Sequence, residues 1–375
     1  MRYLLILFLS SLLMNSFYCS FQSTFFNSIN KKKKGENLII SPLSIFQALS
    51  LVANGAKKNT QSEILELLQV DSIDELNDIN YQILKTLKRS NTIDIANAVM
   101  TKFTPLEEFT NVAQKYLAPI EPLVSAKQVN DWCSNKTHGK INKIIEELDP
   151  YILMIVLNAV YFKGEWISKF EEYLTKPLPF YNLGKEETKI DTMSQIAYFN
   201  YYEDKNVQAI ELEFLEDYMS AIIILPSKDI DINKYIDTLS ISNDEYSNII
   251  NGLQFAKVHV QLPKFELEMK ETLNEILSDL GMYDAFDPNN ADFTGLRSEG
   301  ELFISYVIHK TYLKVFEDGC EAAAVTAIGV MPASDPIEEK IYDMKINRPF
   351  LFLLKNTNLP DGYNLVFMSK IENFD

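Results

Sequence analysis

Residues 154–162 read Met-Ile-Val-Leu-Asn-Ala-Val-Tyr-Phe, an apolar run interrupted by Asn158 alone. A run of this length without alternation is typical of a strand that is buried on both faces of a sheet. A second apolar run covers residues 221–225, and residues 258–262 alternate between apolar and polar side chains, as a half-buried strand does. After Leu296, nearly all of the remaining sequence predicts strands.

The sequence before residue 90 predicts helices instead. Ser41 is placed to cap a helix, because its side-chain oxygen can accept a hydrogen bond from a first-turn N–H, and glycine at Gly55 should end that helix. Thr60 and Glu63 have the spacing of a capping box and predict the start of the next helix. Helices followed by many strands indicate a mixed α+β fold.

The chain has 375 residues, of which 47% are hydrophobic, and it can bury a substantial core. No linker, repeat or low-complexity tract divides it, so we expect a single domain over residues 17–375. The formal net charge of −17 disfavours nucleic acid and anionic membranes as partners, and it argues against a heparin site.

The N-terminus has the pattern of a signal peptide. Arg2 is followed by an apolar run over residues 3–13, which is too short to span a membrane. We expect a signal peptide over residues 1–16, with cleavage between Ser16 and Ser20, and hence a secreted, extracellular protein. An uncleaved amphipathic helix is the alternative.

Two further features bear on the compartment. Cys133 and Cys320 are expected to be free thiols, because a domain of this size does not need disulfides. Asn135, in the sequence Asn-Lys-Thr, is a potential N-glycosylation site and fits secretion.

Common enzyme motifs are missing from the sequence. It contains three histidines, His138, His259 and His309, and no zinc-protease, nucleotide-binding or nucleophile-elbow motif. No histidine, cysteine or carboxylate residues have the spacing of a metal site, so we expect neither a metal nor a cofactor. A Ser/His/Asp triad assembles from distant segments, and one sequence does not test for it. We therefore expect that the protein is not an enzyme.

Eight segments, in order along nearly the whole chain, resemble the serpin family. They are residues 37–45 (NLIISPLSI), 55–60, 130–141, 157–170 (beginning LNAVYFKGEW), 262–265 (LPKF), 280–286 (LGMYDAF), 291–295 (ADFTG) and 347–352 (NRPFLF). Any single match is weak, but the shared order makes the resemblance specific. It implies a serpin fold, with eight or nine helices around three β-sheets and an exposed reactive-centre loop. It also implies a monomeric protease inhibitor.

Residues 317–327, Glu-Asp-Gly-Cys-Glu-Ala-Ala-Ala-Val-Thr-Ala, resemble the hinge of an inhibitory serpin's reactive loop. Without the family, Glu-Ala-Ala-Ala would predict a helix. A strand that inserts between two others needs small or apolar side chains at every second position, and this stretch provides them up to Pro332. The hinge residues implied by the resemblance are Glu317, Gly319, Cys320, Glu321, Ala322, Ala323, Ala324 and Thr326. Cys320, Ala322, Ala324 and Thr326 should face inward and Glu321 outward.

In the family, a protease attacks the loop, forms an acyl-enzyme and is trapped when the cut loop inserts into the main sheet. Here residues 319–332 would insert. Counting from Gly319 places the bait bond at Ala333–Ser334, which suits elastase-like serine proteases with small specificity pockets. The segment that follows is longer than usual, so Asp335 and an Asp-directed protease are the second choice. A non-inhibitory carrier or chaperone, and a cross-class inhibitor of cysteine proteases, are the alternatives.

The resemblance also implies two groups of residues that control insertion. The first is a polar cluster beneath the centre of the main sheet, where strands part: Ser41, Ser44, Asn158 and His309. The second surrounds the entry point of the loop: Trp166, Lys264 and Glu317. We expect an ion pair between Lys264 and Glu317 that breaks when the loop inserts.

Overall fold

The computed structural model describes residues 21–88, 93–140, 142–215, 218–241, 243–320 and 340–374. The expected signal peptide and its cleavage site lie outside the described residues. The described residues contain nine α-helices: α1 (Phe21–Lys32), α2 (Pro42–Gly55), α3 (Lys58–Leu68), α4 (Ile73–Leu87), α5 (Glu107–Lys115), α6 (Ala126–Lys136), α7 (Ile232–Ile241), α8 (Asn243–Gly252) and α9 (Asn274–Asp279). None of these helices is long and apolar enough to cross a membrane.

The strands of the described residues are β1 (Leu38–Ile40), β2 (Ile93–Thr101), β3 (Ile120–Pro122), β4 (Met154–Phe162), β5 (Gly164–Glu165), β6 (Lys176–Asn182), β7 (Glu186–Glu203), β8 (Val207–Glu213), β9 (Met219–Pro226), β10 (Gln254–Pro263), β11 (Phe265–Thr272), β12 (Tyr306–Val315), β13 (Gly319–Cys320), β14 (Tyr342–Lys345), β15 (Phe350–Asn356) and β16 (Leu365–Ile371). They form three sheets. Nine strands follow the order β1-β16-β15-β9-β8-β7-β10-β14, with β6 also paired to β7. Five follow the order β11-β12-β4-β2-β3, and β13 pairs with β5. The predicted α+β fold is confirmed.

Strand β4 lies at the centre of the five-stranded sheet. All nine of its residues are buried, as the apolar run predicted. Alternate residues face opposite sides of a strand. Accordingly, Val156 and Val160 join the main core, whereas Leu157 and Ala159 join a second core beneath Cys133 of α6. The central strand is therefore held by apolar packing from both faces.

Helix α2 begins as the sequence predicts. The Ser41 side chain accepts a hydrogen bond from the N–H of Ser44, Pro42 occupies the first turn, and the helix ends at Gly55. This cap places the start of α2 against the central strands β4 and β12.

The predicted cap at Thr60 is wrong. Helix α3 already begins at Lys58, and the Thr60 hydroxyl instead accepts a hydrogen bond from the N–H of Asp292. The Glu63 carboxylate accepts the N–H groups of Tyr283 and Asp284. Both side chains therefore bind residues that are far away in sequence. The local spacing of Thr60 and Glu63 could not predict these long-range hydrogen bonds.

A charged pair lies buried at the C-terminal end of β16. Lys370 is fully buried, and its Nζ lies 2.5 Å from the Glu372 carboxylate and 3.0 Å from both the Asn233 side-chain oxygen and the Lys33 carbonyl. The Glu372 carboxylate also accepts the N–H of Gly35. Every proton of this ammonium group therefore has an acceptor.

Replacing Lys370 with Met should leave the Glu372 carboxylate buried without its counter-charge. Loss of one partner of a buried pair typically costs about 3–5 kcal/mol. The midpoint of urea unfolding, followed by circular dichroism, should fall accordingly. The control is Lys127→Met, which removes an exposed ion pair with Asp131 and should change stability by less than about 1 kcal/mol. Equal unfolding midpoints for the two variants would contradict a stabilising role of the buried Lys370–Glu372 pair.

Candidate functional site

The chain turns back on itself at the end of β12. The N–H of Phe316 donates to the carbonyl of Gly319 over 2.9 Å, and the N–H of Gly319 donates back over 3.1 Å. Glu317 and Asp318 therefore form a two-residue hairpin turn between β12 and β13. Because the chain reverses here, Gly319 and Cys320 run antiparallel to β12.

Strand β13 is already paired at this point. Gly319 and Cys320 lie antiparallel to Glu165 and Gly164 of β5. Gly319 has a φ of 146°, and a Cβ there would lie 2.1 Å from the Gly164 carbonyl oxygen, so glycine is required. The Cys320 side chain is fully buried in the main core, and Cys320 is a free cysteine, as is Cys133.

The hairpin turn is anchored by a partly buried ion pair. Lys264 Nζ lies 2.9 Å from the Glu317 carboxylate, and the Thr175 hydroxyl donates to the same carboxylate over 2.7 Å. Burial alone would raise the pKa of Glu317, but the hydrogen bonds from Lys264 and Thr175 outweigh it and hold that pKa below its ordinary value. The carboxylate therefore stays ionised and attached at neutral pH.

Trp166 lies beside this turn. Its indole N–H donates to the Phe316 carbonyl over 3.0 Å, and its backbone N–H donates to the Asp318 carbonyl over 2.9 Å. Its ring stacks on Phe214 with the ring centroids 4.2 Å apart. The structure thus places Trp166, Lys264 and Glu317 around one short segment. Their control of insertion stays a prediction.

Sequence reasoning missed a second ionic contact at the same turn. Lys169 Nζ lies 2.8 Å from the Glu165 carboxylate and 3.2 Å from that of Asp318. All three side chains are only 20–29% exposed. The i, i+4 spacing of residues 165 and 169 predicts an ion pair only weakly. The contact with residue 318 is long-range, and the local sequence does not predict it.

The four residues of the expected polar cluster meet beneath the centre of the five-stranded sheet. His309 Nε2 accepts the N–H of Ser41 over 3.1 Å, and His309 Nδ1 lies 2.5 Å from the Asn158 side-chain oxygen. The Ser44 hydroxyl donates to that oxygen over 2.7 Å. Because Nε2 accepts, Nδ1 carries the proton and donates to Asn158.

This cluster bridges the two central strands of the sheet. His309 of β12 and Asn158 of β4 are register partners in a parallel pair. Asn158 also donates to Asn97 of β2 over 2.6 Å, a member that sequence reasoning missed. Burial lowers the pKa of His309 to about 3, so the imidazole is neutral at physiological pH.

The remaining expected site residues fall into two groups. Asn135 is exposed near the end of α6, and the Thr137 hydroxyl of its sequon is buried and donates to the Cys133 carbonyl. Glu321 through Thr326, and the bait residues Ala333 and Ser334, lie outside the described residues.

Replacing Glu317 with Lys should bring two ammonium groups together at the hairpin turn. Their repulsion should loosen the turn and favour spontaneous loop insertion or polymers, which native gels and size-exclusion chromatography after warming would detect. Adding Lys264→Glu should restore the opposite charges and the monomer. A Glu317→Lys chain that stays a monomer as heat-resistant as the original would count against this role.

Protonation of His309 should destabilise the folded chain in acid. Its pKa is about 3 when folded against an ordinary value of 6.5, so the unfolded chain binds more protons between these values. The free energy of unfolding should fall with decreasing pH, by up to about 1.4 kcal/mol per pH unit in that range. In His309→Gln, an amide that can still accept and donate, the pH slope should be shallower. Identical slopes in urea titrations would contradict this.

Comparisons with known proteins identify relatives of this chain. The chain matches the family model Serpin (serine protease inhibitor) over residues 17–373. It is 31% identical to leukocyte elastase inhibitor of Xenopus tropicalis, over 90% of this chain and 93% of that protein. It is 33% identical to intracellular coagulation inhibitor 2 of Tachypleus tridentatus, over 86% of this chain and 83% of that protein.

Among solved structures, the thermophilic serpin tengpin in its native state matches with a TM-score of 0.84 and 32% identity, covering 95% of this chain and 93% of that chain. The family match spans nearly the whole chain, and the relatives named above are inhibitors. The protein is therefore a protease inhibitor and not an enzyme. The chain belongs to the serpin family of serine protease inhibitors.

Proposed function

We propose that the protein is a secreted suicide-substrate inhibitor of serine endopeptidases, cut at Ala333–Ser334 by an elastase-like protease. The cut loop, residues 319–332, then inserts into the five-stranded sheet while the protease is still attached through its acyl bond. The partner is the target protease in a covalent complex, and the inhibitor acts as a monomer.

The hairpin at Phe316–Gly319 is the observation that carries this proposal. It directs the chain antiparallel to β12, and β13 pairs antiparallel with β5, the continuation of β4. Because β4 and β12 are parallel to each other, a strand running back between them can be antiparallel to both. Burial of the Cys320 side chain at this point supports an insertion that continues from an existing start.

The sequence that follows suits the same path. Small side chains at every second position let a strand pass between two others and be buried on one face. Proline follows Met331 and Asp335, which makes those bonds poor sites for most serine proteases, whereas Ala333–Ser334 has no such block. The name of one relative, leukocyte elastase inhibitor, supports a target with a small specificity pocket.

Secretion rests on the N-terminal sequence. The apolar run over residues 3–13 supports a signal peptide, and the exposure of Asn135 supports glycosylation there. One relative bears the word intracellular in its name, so retention inside the cell is the competing outcome. Expression of the full chain with sequencing of the N-terminus from medium and lysate separates the two. Protein found only in the lysate with Met1 intact would overturn secretion.

Incubation with pancreatic or neutrophil elastase should give a band at the summed mass on a denaturing gel, because the acyl bond survives denaturation. Mass spectrometry should then find a released peptide that begins at Ser334. A peptide that begins after Asp335, obtained with an Asp-directed protease, would move the bait bond. Clean cleavage without a complex would favour a non-inhibitory serpin, and complexes formed only with cysteine proteases would favour the cross-class alternative.

Two matched hinge variants test insertion itself. Ala324→Arg should block insertion, because a long charged side chain at an inward position would have to be buried, and the variant should be cleaved without forming a complex. Ala323→Arg carries the same charge on the outward face and should still form the complex. Gel densitometry gives the ratio of complex to cleaved inhibitor. Equal ratios for the two variants would contradict alternating burial of the hinge.

A further inference from the structure

A second polar arrangement lies on the nine-stranded sheet. His259 Nε2 lies 3.1 Å from the Ser194 hydroxyl, and His259 Nδ1 lies 3.0 Å from the Asp343 carboxylate. The three residues come from β7, β10 and β14. A serine, an imidazole and a carboxylate connected in this order can activate the serine oxygen as a nucleophile. The imidazole takes the serine proton, and the carboxylate orients the imidazole.

The hydrogen bonds fix the role of each atom. A carboxylate can only accept, so Nδ1 of His259 carries the proton that points to Asp343. Nε2 then has a free lone pair and can accept the proton of the Ser194 hydroxyl. Lys345 Nζ lies 2.7 Å from the other oxygen of Asp343, which holds this carboxylate in position.

Strand register places the remaining parts of the site. Gln261 is the direct partner of Ser194, with Cβ atoms about 5 Å apart, so its side-chain amide is within reach as a donor to an oxyanion formed at Ser194. Ile196 follows on the same face and is 56% exposed. Beyond it, Phe255 stacks on Tyr198 at 5.2 Å. An apolar surface therefore lies next to the serine.

We propose that Ser194 is an activated nucleophile that accepts acyl groups from activated esters such as aryl acetates. Ser194 Oγ attacks the carbonyl carbon, and its proton passes to His259 Nε2. The new C–O bond forms, the bond to the aryl oxygen breaks, and the aryloxide leaves. His259 then returns its proton to the aryloxide or to water. The product is an O-acyl serine, so the site is a modification site.

The charged groups that face His259 are Lys257 on its own strand and Asp343 and Lys345 on β14, whereas β7 presents Ser194, Ile196 and Tyr198. Because Asp343 takes the proton on Nδ1, Nε2 is the ring atom that accepts the serine proton.

The test is acetylation of the full-length protein by p-nitrophenyl acetate, followed by peptide mapping with mass spectrometry. Ser62 serves as an internal comparison in the same digest, because it is exposed and donates to a helix carbonyl over 3.2 Å. Ser194 should be acetylated at least about 100-fold faster than Ser62, which is the usual scale of general-base assistance. This comparison needs no variant and so does not depend on a variant folding.

Variants assign the roles. His259→Gln should reduce the acetylation rate of Ser194 to that of Ser62. Asp343→Asn should reduce the rate only in part, because His259 remains but the carboxylate that fixes its proton on Nδ1 is lost. Both should keep the melting temperature within a few degrees, measured by circular dichroism. Equal rates at Ser194 and Ser62, or an unchanged rate in His259→Gln, would overturn the proposal and leave a purely structural set of cross-strand hydrogen bonds.

Discussion

The parallel pairing of β4 with β12 is the constraint on which the rest of this structure depends. The two strands run side by side over seven register pairs, from Tyr306–Ile155 to Tyr312–Tyr161. A parallel pair needs a long connection, and if these two strands part, an antiparallel strand between them can be hydrogen-bonded to both. The chain that follows β12 turns into that orientation at once, at the hairpin after Phe316. The topology is therefore compatible with the proposed insertion of residues 319–332 between these two strands.

In the proposed mechanism this pairing stays intact until the loop is cut, and polar contacts hold it at two places. At the centre of the sheet, neutral His309 ties β12 to Asn158 of β4 and to the start of α2. At the end of the sheet, Glu317 and Asp318 are held by Lys264 and Lys169. Hydrogen bonds and ion pairs suit this task, because each contributes modestly and can be exchanged for new partners when strands separate.

Some of this arrangement could be predicted from the local sequence, and some only from the family resemblance. The buried strand β4 and the cap at Ser41 follow from local apolar pattern and side-chain chemistry. The cluster around His309 and the Lys264–Glu317 pair came from family resemblance, which encodes long-range contacts. Contacts particular to this chain were missed: Thr60 binds a loop more than 200 residues away in sequence, and Lys370 is buried where a lysine on a strand would be expected to face solvent. Such contacts depend on strand order, which local spacing does not contain.

The measurement that tests loop insertion most directly is the thermal stability of the chain before and after its loop is cut by a protease that it does not trap. Circular dichroism would follow melting of the intact and the cleaved protein, with mass spectrometry confirming a single cut between residues 321 and 339. If the intact fold lacks one strand that the freed loop supplies, the cleaved protein should melt at a much higher temperature. A cleaved protein that melts at the same temperature or lower would contradict loop insertion.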